Sequence, residues 1–66
     1  MKNNLKVERA IKNITQEDLA TVIGVSRQAV NSIELGKYVP STVLALKLSK
    51  FFSKSVNDIF FLEEAD

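Results

Sequence analysis

The chain has 66 residues, 45% of them apolar, carries a net charge of +1, and contains neither cysteine nor histidine. That length allows a single domain, residues 1–66, with a modest core, and the apolar content excludes a disordered tail. Disulfides and thiolate metal sites are ruled out, the commonest general base and metal ligand are missing, and so short a chain has little room for a substrate cleft. The expectation is therefore not an enzyme, with no cofactor and no metal.

Helix-start signals punctuate the sequence. Asn3 or Asn4 can cap a first helix, about Leu5 to Lys12. Thr15 precedes Gln16-Glu17-Asp18, a cap followed by acid in the first turn, so a second helix starts there and stops at Gly24, which takes the positive φ of a helix end at little cost. Ser26 caps a third helix, Arg27 to about Leu35, ended by Gly36. Ser41, after Pro40, caps a fourth, Thr42 to about Phe52. Ser55 begins a short fifth, Val56 to about Phe60, with Asp58 placed for a capping box.

Apolar spacing agrees: Leu19, Val22, Ile23, Val30 and Ile33 recur at helical intervals, as do Leu44, Leu48, Phe51 and Phe52. A buried strand is the alternative for residues 43–52, but length and the leucine and alanine content favour helix. Ile59-Phe60-Phe61-Leu62-Glu63 has β-favouring residues and can be extended.

Charge is unevenly distributed. Residues 1–54 hold all nine basic residues and four acidic ones, a balance of +5, whereas residues 55–66 hold only Asp58, Glu63, Glu64 and Asp66, a balance of −4. This asymmetry fits one surface for a polyanion with an acidic end kept away from it, although a scattered solvating surface gives the same count. No apolar run reaches membrane-spanning length and Met1-Lys2-Asn3-Asn4 is not followed by a signal core, so a cytoplasmic chain is expected.

The second and third helices carry a specific pattern, residues 16–35. With Gln16 as first position, the fourth and eighth are Leu19 and Ile23, the fifth is the small Ala20, and the ninth is Gly24. Two helices meeting steeply leave no room for a side chain larger than alanine at the crossing, and a three- or four-residue turn needs one glycine position. Leu19, Ile23, Val30 and Ile33 then fill the corner between them.

Gln16-Glu17-Asp18-Leu19-Ala20, Gly24-Val25-Ser26-Arg27-Gln28, Ile33-Glu34, Gly36-Lys37-Tyr38 and Pro40-Ser41 together resemble the phage-repressor-like (Cro/C1, XRE) helix-turn-helix family, and within it the short regulators of the cytolysin-repressor type. The resemblance spans Leu5 to about Phe61. It implies an all-α, five-helix lambda-repressor-like DNA-binding domain, with the chain ends pairing as a small two-stranded antiparallel sheet, Lys2–Asn4 against about Phe61–Glu63. It also implies a sequence-specific transcriptional regulator, a repressor acting as a homodimer on double-stranded DNA with an inverted-repeat operator.

The recognition helix is then Arg27 to Leu35, its N-terminal end in the major groove. Val30 and Ile33 face inward, which leaves Arg27, Gln28 and Asn31 outward, with Ala29 and Ser32 beside them. Arginine matches guanine and glutamine or asparagine matches adenine, so these three are the candidate base readers; ordinary exposed polar residues are the alternative. The resemblance places DNA-backbone contacts at Gln16, on a helix N-terminus that favours an anion, and at Ser26, Lys37 and Tyr38. Tyr38 packing against the Pro40 loop is the competing reading. The resemblance also implies a structural ion pair between Arg9 and Glu34. Glu8 stands where members carry an apolar residue, and the first helix is expected to pack through Leu5, Val7 and Ile11.

A dimerisation region is expected at about residues 51–63, where Phe51, Phe52, Ile59, Phe60, Phe61 and Leu62 exceed what a small monomer can shield. Ile59, Phe61 or Leu62 are the expected interface residues. The competing function is a protein-interaction module, such as an antitoxin that binds DNA secondarily.

Overall fold

The computed structural model describes all 66 residues. The elements in chain order are β1 (Lys2–Asn3), α1 (Leu5–Ile11), α2 (Gln16–Ile23), α3 (Arg27–Glu34), α4 (Thr42–Phe52), α5 (Val56–Ile59) and β2 (Phe60–Phe61). No helix is long and apolar enough to cross a membrane.

Most helix starts form as their residues dictate. The Thr15 hydroxyl accepts from the Asp18 N–H at 3.0 Å and the Asp18 carboxylate accepts from the Thr15 N–H at 3.0 Å, a reciprocal capping box. The Thr15 N–H holds the Asp18 carboxyl below the usual carboxylate range. Ser26 accepts from Ala29 N–H at 3.1 Å and Ser41 from Leu44 N–H at 3.2 Å. Ser55 differs: its side chain makes no cap bond, and the expected box with Asp58 is absent. Helix α5 is four residues long, and the Asp58 N–H that the hydroxyl would cap donates instead to the Ser55 carbonyl at 3.0 Å.

Gly24 and Gly36 turn the chain at φ +76 and +74, closing α2 and the turn after α3 in left-handed conformation. Asn13 and Ser53 take the same conformation at φ 55 and 54, a role the sequence did not mark for them. Asparagine tolerates it, and Ser53 ends α4 there.

The core joins Leu5 of α1; Leu19, Ala20 and Ile23 of α2; Val30 and Ile33 of α3; Leu44, Leu48 and Phe52 of α4; and Ile59 and Phe60 at the end of the chain. Ala20 lies buried with its α2 neighbours in this cluster, as its small size at the helix crossing requires. Phe51 stays half-buried, edge-on to Phe52 at 5.0 Å, with the Lys12 ammonium 5.0 Å from its ring centre.

Two expectations are corrected. Val7 and Ile11 are exposed rather than packed; α1 turns Leu5 and Glu8 inward, one helical turn apart. The buried Glu8 carboxylate is tolerated because the Lys54 ammonium reaches it at 2.8 Å from the start of the α4–α5 turn. The chain-end sheet is antiparallel as expected, but pairs Lys2 with Phe61 and Asn3 with Phe60, so it lies slightly earlier along the chain than residues 61–63. The Met1 ammonium meets Glu63 at 3.0 Å and Asp66 at 3.3 Å, and the Glu63 hydrogen bond raises its pKa above the usual value.

Lys54→Ala leaves the Glu8 carboxylate buried without its cation and should cost about 1–3 kcal/mol of stability. Adding Glu8→Leu in the same chain should recover part of that loss. Thermal unfolding of the two variants checks this; a Lys54→Ala chain that melts with the wild type would contradict it.

Candidate nucleic-acid interface

Helix α3 divides cleanly. Val30 and Ile33 are buried, Arg27, Gln28 and Asn31 are exposed, and Ala29 and Ser32 lie half-buried between them. The three candidate base readers therefore share one outward face, beginning at the N-terminal end of the helix.

Behind that face runs a continuous polar network. Arg9 of α1 donates through Nε to Glu34 Oε2 at 2.7 Å and through Nη2 to Glu34 Oε1 at 3.2 Å. Its remaining Nη1 donates to the Ile14 carbonyl at 3.0 Å. The Glu34 carboxylate raises the Arg9 pKa above its usual value, so the guanidinium stays charged. Gln16, at the first position of α2, donates its side-chain amide to Glu34 Oε1 at 3.1 Å and to Asn31 Oδ1 at 3.0 Å. Its carbonyl receives a long contact from Arg27 Nη1 at 3.5 Å. One glutamine thus touches two of the three candidate base readers and the ion pair beneath them.

The structure brings Arg9, Gln16, Arg27, Asn31 and Glu34 together; Gln28 stands free on the same face. Arg9, Gln16 and Arg27, with Asn13 and Thr15, line an open groove at the start of α2. Ser26 is exposed, with its oxygen already accepting from Ala29. Lys37 and Tyr38 follow α3 in a loop whose backbone N–H groups both reach the Ser32 carbonyl, at 2.9 and 3.3 Å. Lys37 is exposed; Tyr38 lines a shallow hollow with Val25, Val43 and Lys47, while Pro40 lines a different one.

At the far end, Ile59 is fully buried in the monomer core and offers no surface to a partner. Phe61 and Leu62 are 38% and 82% exposed. They border an apolar hollow with Pro40, Ala45, Val56 and Phe60. No cluster of acidic residues is arranged to hold a metal ion.

Sequence reasoning missed two roles. Gln16 reads as a DNA-backbone contact, and its bonds to Asn31 and Glu34 go beyond that reading. Asn3 reads as a cap for α1 and as part of the chain-end sheet, yet its side chain also reaches α3. The signal for Gln16 was its place at the head of α2, directly across from α3.

A helix-turn-helix family profile matches residues 5–59, from the start of α1 to the end of α5. An uncharacterised HTH-type transcriptional regulator of Methanocaldococcus jannaschii is 56% identical over 64 residues, covering 97% of each chain. One of Bacillus subtilis is 52% identical over the same length and coverage. The HTH-type transcriptional activator BcrR of Enterococcus faecalis is 41% identical over 56 residues, 85% of this chain and 28% of that protein. The α2–α3 pair with its small buried Ala20, its glycine turn and its braced second helix agrees with these matches, and the chain belongs to the phage-repressor-like (Cro/C1, XRE) helix-turn-helix family of DNA-binding transcriptional regulators.

Proposed function

We propose that this chain represses transcription as a homodimer that lays two α3 helices into successive major grooves of an inverted-repeat operator. The observation that carries the reading is the outward face of α3, where Arg27, Gln28 and Asn31 stand together over a fixed polar base. Arg27 is suited to the O6 and N7 of guanine, and Gln28 and Asn31 to the N6 and N7 of adenine. Gln16, Ser26, Lys37 and Tyr38 surround that face as donors for phosphate oxygens, with the N-terminus of α2 favouring an anion. Blocking a promoter needs nothing beyond this domain, which is why repression is preferred over activation, although one relative is named an activator. The proposed compartment is the cytoplasm, where promoter DNA lies open to it.

The dimer reading rests on the exposed Phe61 and Leu62 beside an apolar hollow, a contiguous patch of the kind that marks an interface. Ile59, buried inside the monomer, drops out of the interface set. A two-fold contact at this end spaces the recognition helices about 34 Å apart, one turn of DNA. It also keeps Glu63 and Glu64 away from the phosphates.

Arg27→Ala should weaken binding to the selected operator by about 1–3 kcal/mol and affect random DNA less. Lys37→Ala should weaken all sequences evenly and reduce the salt slope by about 1. Titrations on operator and random duplexes at two salt concentrations check both, and equal losses for Arg27→Ala on the two duplexes would contradict base reading. In sedimentation at micromolar concentration the free protein should run at twice its 7.4 kDa chain mass. Phe61→Asp with Leu62→Asp should shift it to the monomer; a monomeric wild type would contradict the interface.

A further inference from the structure

We propose that Asn3 is a positioning residue that couples the dimer-forming end of the chain to the recognition helix, and so sets which half-site spacing the dimer accepts. The proposal rests on the homodimer reading above.

One side chain ties three elements. The Asn3 backbone lies in β1 opposite Phe60, next to the Lys2–Phe61 pair, and the following Asn4 N–H donates to the Ile59 carbonyl at 2.8 Å. From that fixed strand the Asn3 Nδ2 donates to the Ile33 carbonyl of α3 at 2.8 Å, while its Oδ1 accepts from the Leu5 N–H that opens α1 at 3.0 Å. The Ile33 carbonyl also accepts from Gly36 N–H at 2.9 Å, so both of its lone pairs are used at the end of α3.

The bond enters α3 from the β ribbon that carries Phe61, whereas the Arg9–Glu34 pair enters from α1. Without Asn3, α3 keeps its core contacts and its pair to Arg9, but its direct tie to the ribbon is gone. Half-sites one base pair further apart are shifted by about 3.4 Å and rotated by roughly 35° about the duplex. A dimer whose ribbon holds α3 at one angle rejects such a duplex, and a dimer with a loosened joint accepts it.

Asn3→Asp isolates the coupling, because a carboxylate still accepts from Leu5 but cannot donate to Ile33. The experiment measures wild type and Asn3→Asp on a single half-site, on the selected operator, and on operators lengthened or shortened by one base pair, with sedimentation of both proteins. The wild-type dimer should prefer its own spacing by about tenfold or more, the size of a base-pair mismatch. Asn3→Asp should remain dimeric, bind the half-site within about twofold of wild type, and lose most of the spacing preference. An unchanged spacing preference, or an equal loss on half-site and operator, overturns the coupling and leaves the dimer standing. A monomeric wild type overturns the dimer reading and the coupling with it. Should Asn3→Asp not fold, the wild-type protein decides: the Asn3 side-chain amide protons should exchange slowly and shift on the full operator more than on a half-site, and fast exchange or equal shifts overturn the proposal.

Discussion

The bidentate contact between Arg9 and Glu34 is the joint on which the DNA-facing part of this molecule depends. Helix α3 is eight residues long and sends only Val30 and Ile33 into the core, because its other faces must stay polar. Two apolar side chains near one line along a short helix resist translation but allow rotation about that line. Glu34 lies at the end of the helix, and the 2.7 and 3.2 Å bonds from a planar guanidinium resist that rotation in a way a single-point contact cannot. Arg9 is itself fixed by the Ile14 carbonyl, so the brace is anchored in the α1–α2 connection.

The rest of the interface follows from that joint. Glu34 Oε1 accepts from both Arg9 and Gln16, and Gln16 passes the constraint outward to Asn31 and, more loosely, to Arg27. In the free protein these side chains satisfy one another. Under the proposed function, bases and phosphates would offer Asn31, Arg27 and Gln16 replacement partners, so the exchange would keep polar groups paired. Gln28, which makes no such bond, is the candidate reader with the most freedom. The other ends of the chain serve the same frame: Lys54 neutralises Glu8 on the inward side of α1, which keeps the helix carrying Arg9 seated.

How much of this was legible depended on the range of the interaction. Thr15, Ser26 and Ser41 announce their helices because a cap acts within three residues, and Gly24 and Gly36 mark turns that only their backbones take cheaply. Ser55 and Asp58 carry the same local signature, but a one-turn helix closes on its backbone and leaves the hydroxyl without a role. The inward set of the chain end is harder to read, because it depends on where helix gives way to strand. The last helix ends at Ile59, within a residue of the expected end at about Phe60, and the chain continues extended, as its β-favouring residues allow. Leaving helix there buries both Ile59 and Phe60 and turns Phe61 outward, which took Ile59 out of the interface set.

Longer-range pairs were legible only through family resemblance or not at all. Arg9 and Glu34 are 25 residues apart, and nothing in either local sequence names the other. Glu8 and Lys54 are 46 apart; a carboxylate on a short helix reads as surface by default, and the apolar Val7 and Ile11 read as core. The most direct measurement is a double-mutant cycle on the brace, with Arg9→Met, Glu34→Gln and the combination followed by chemical unfolding. Each single change should cost about 1–3 kcal/mol by leaving a partly buried partner unsatisfied. The double variant should cost less than their sum by about 0.5–3 kcal/mol. Strictly additive losses would contradict the brace.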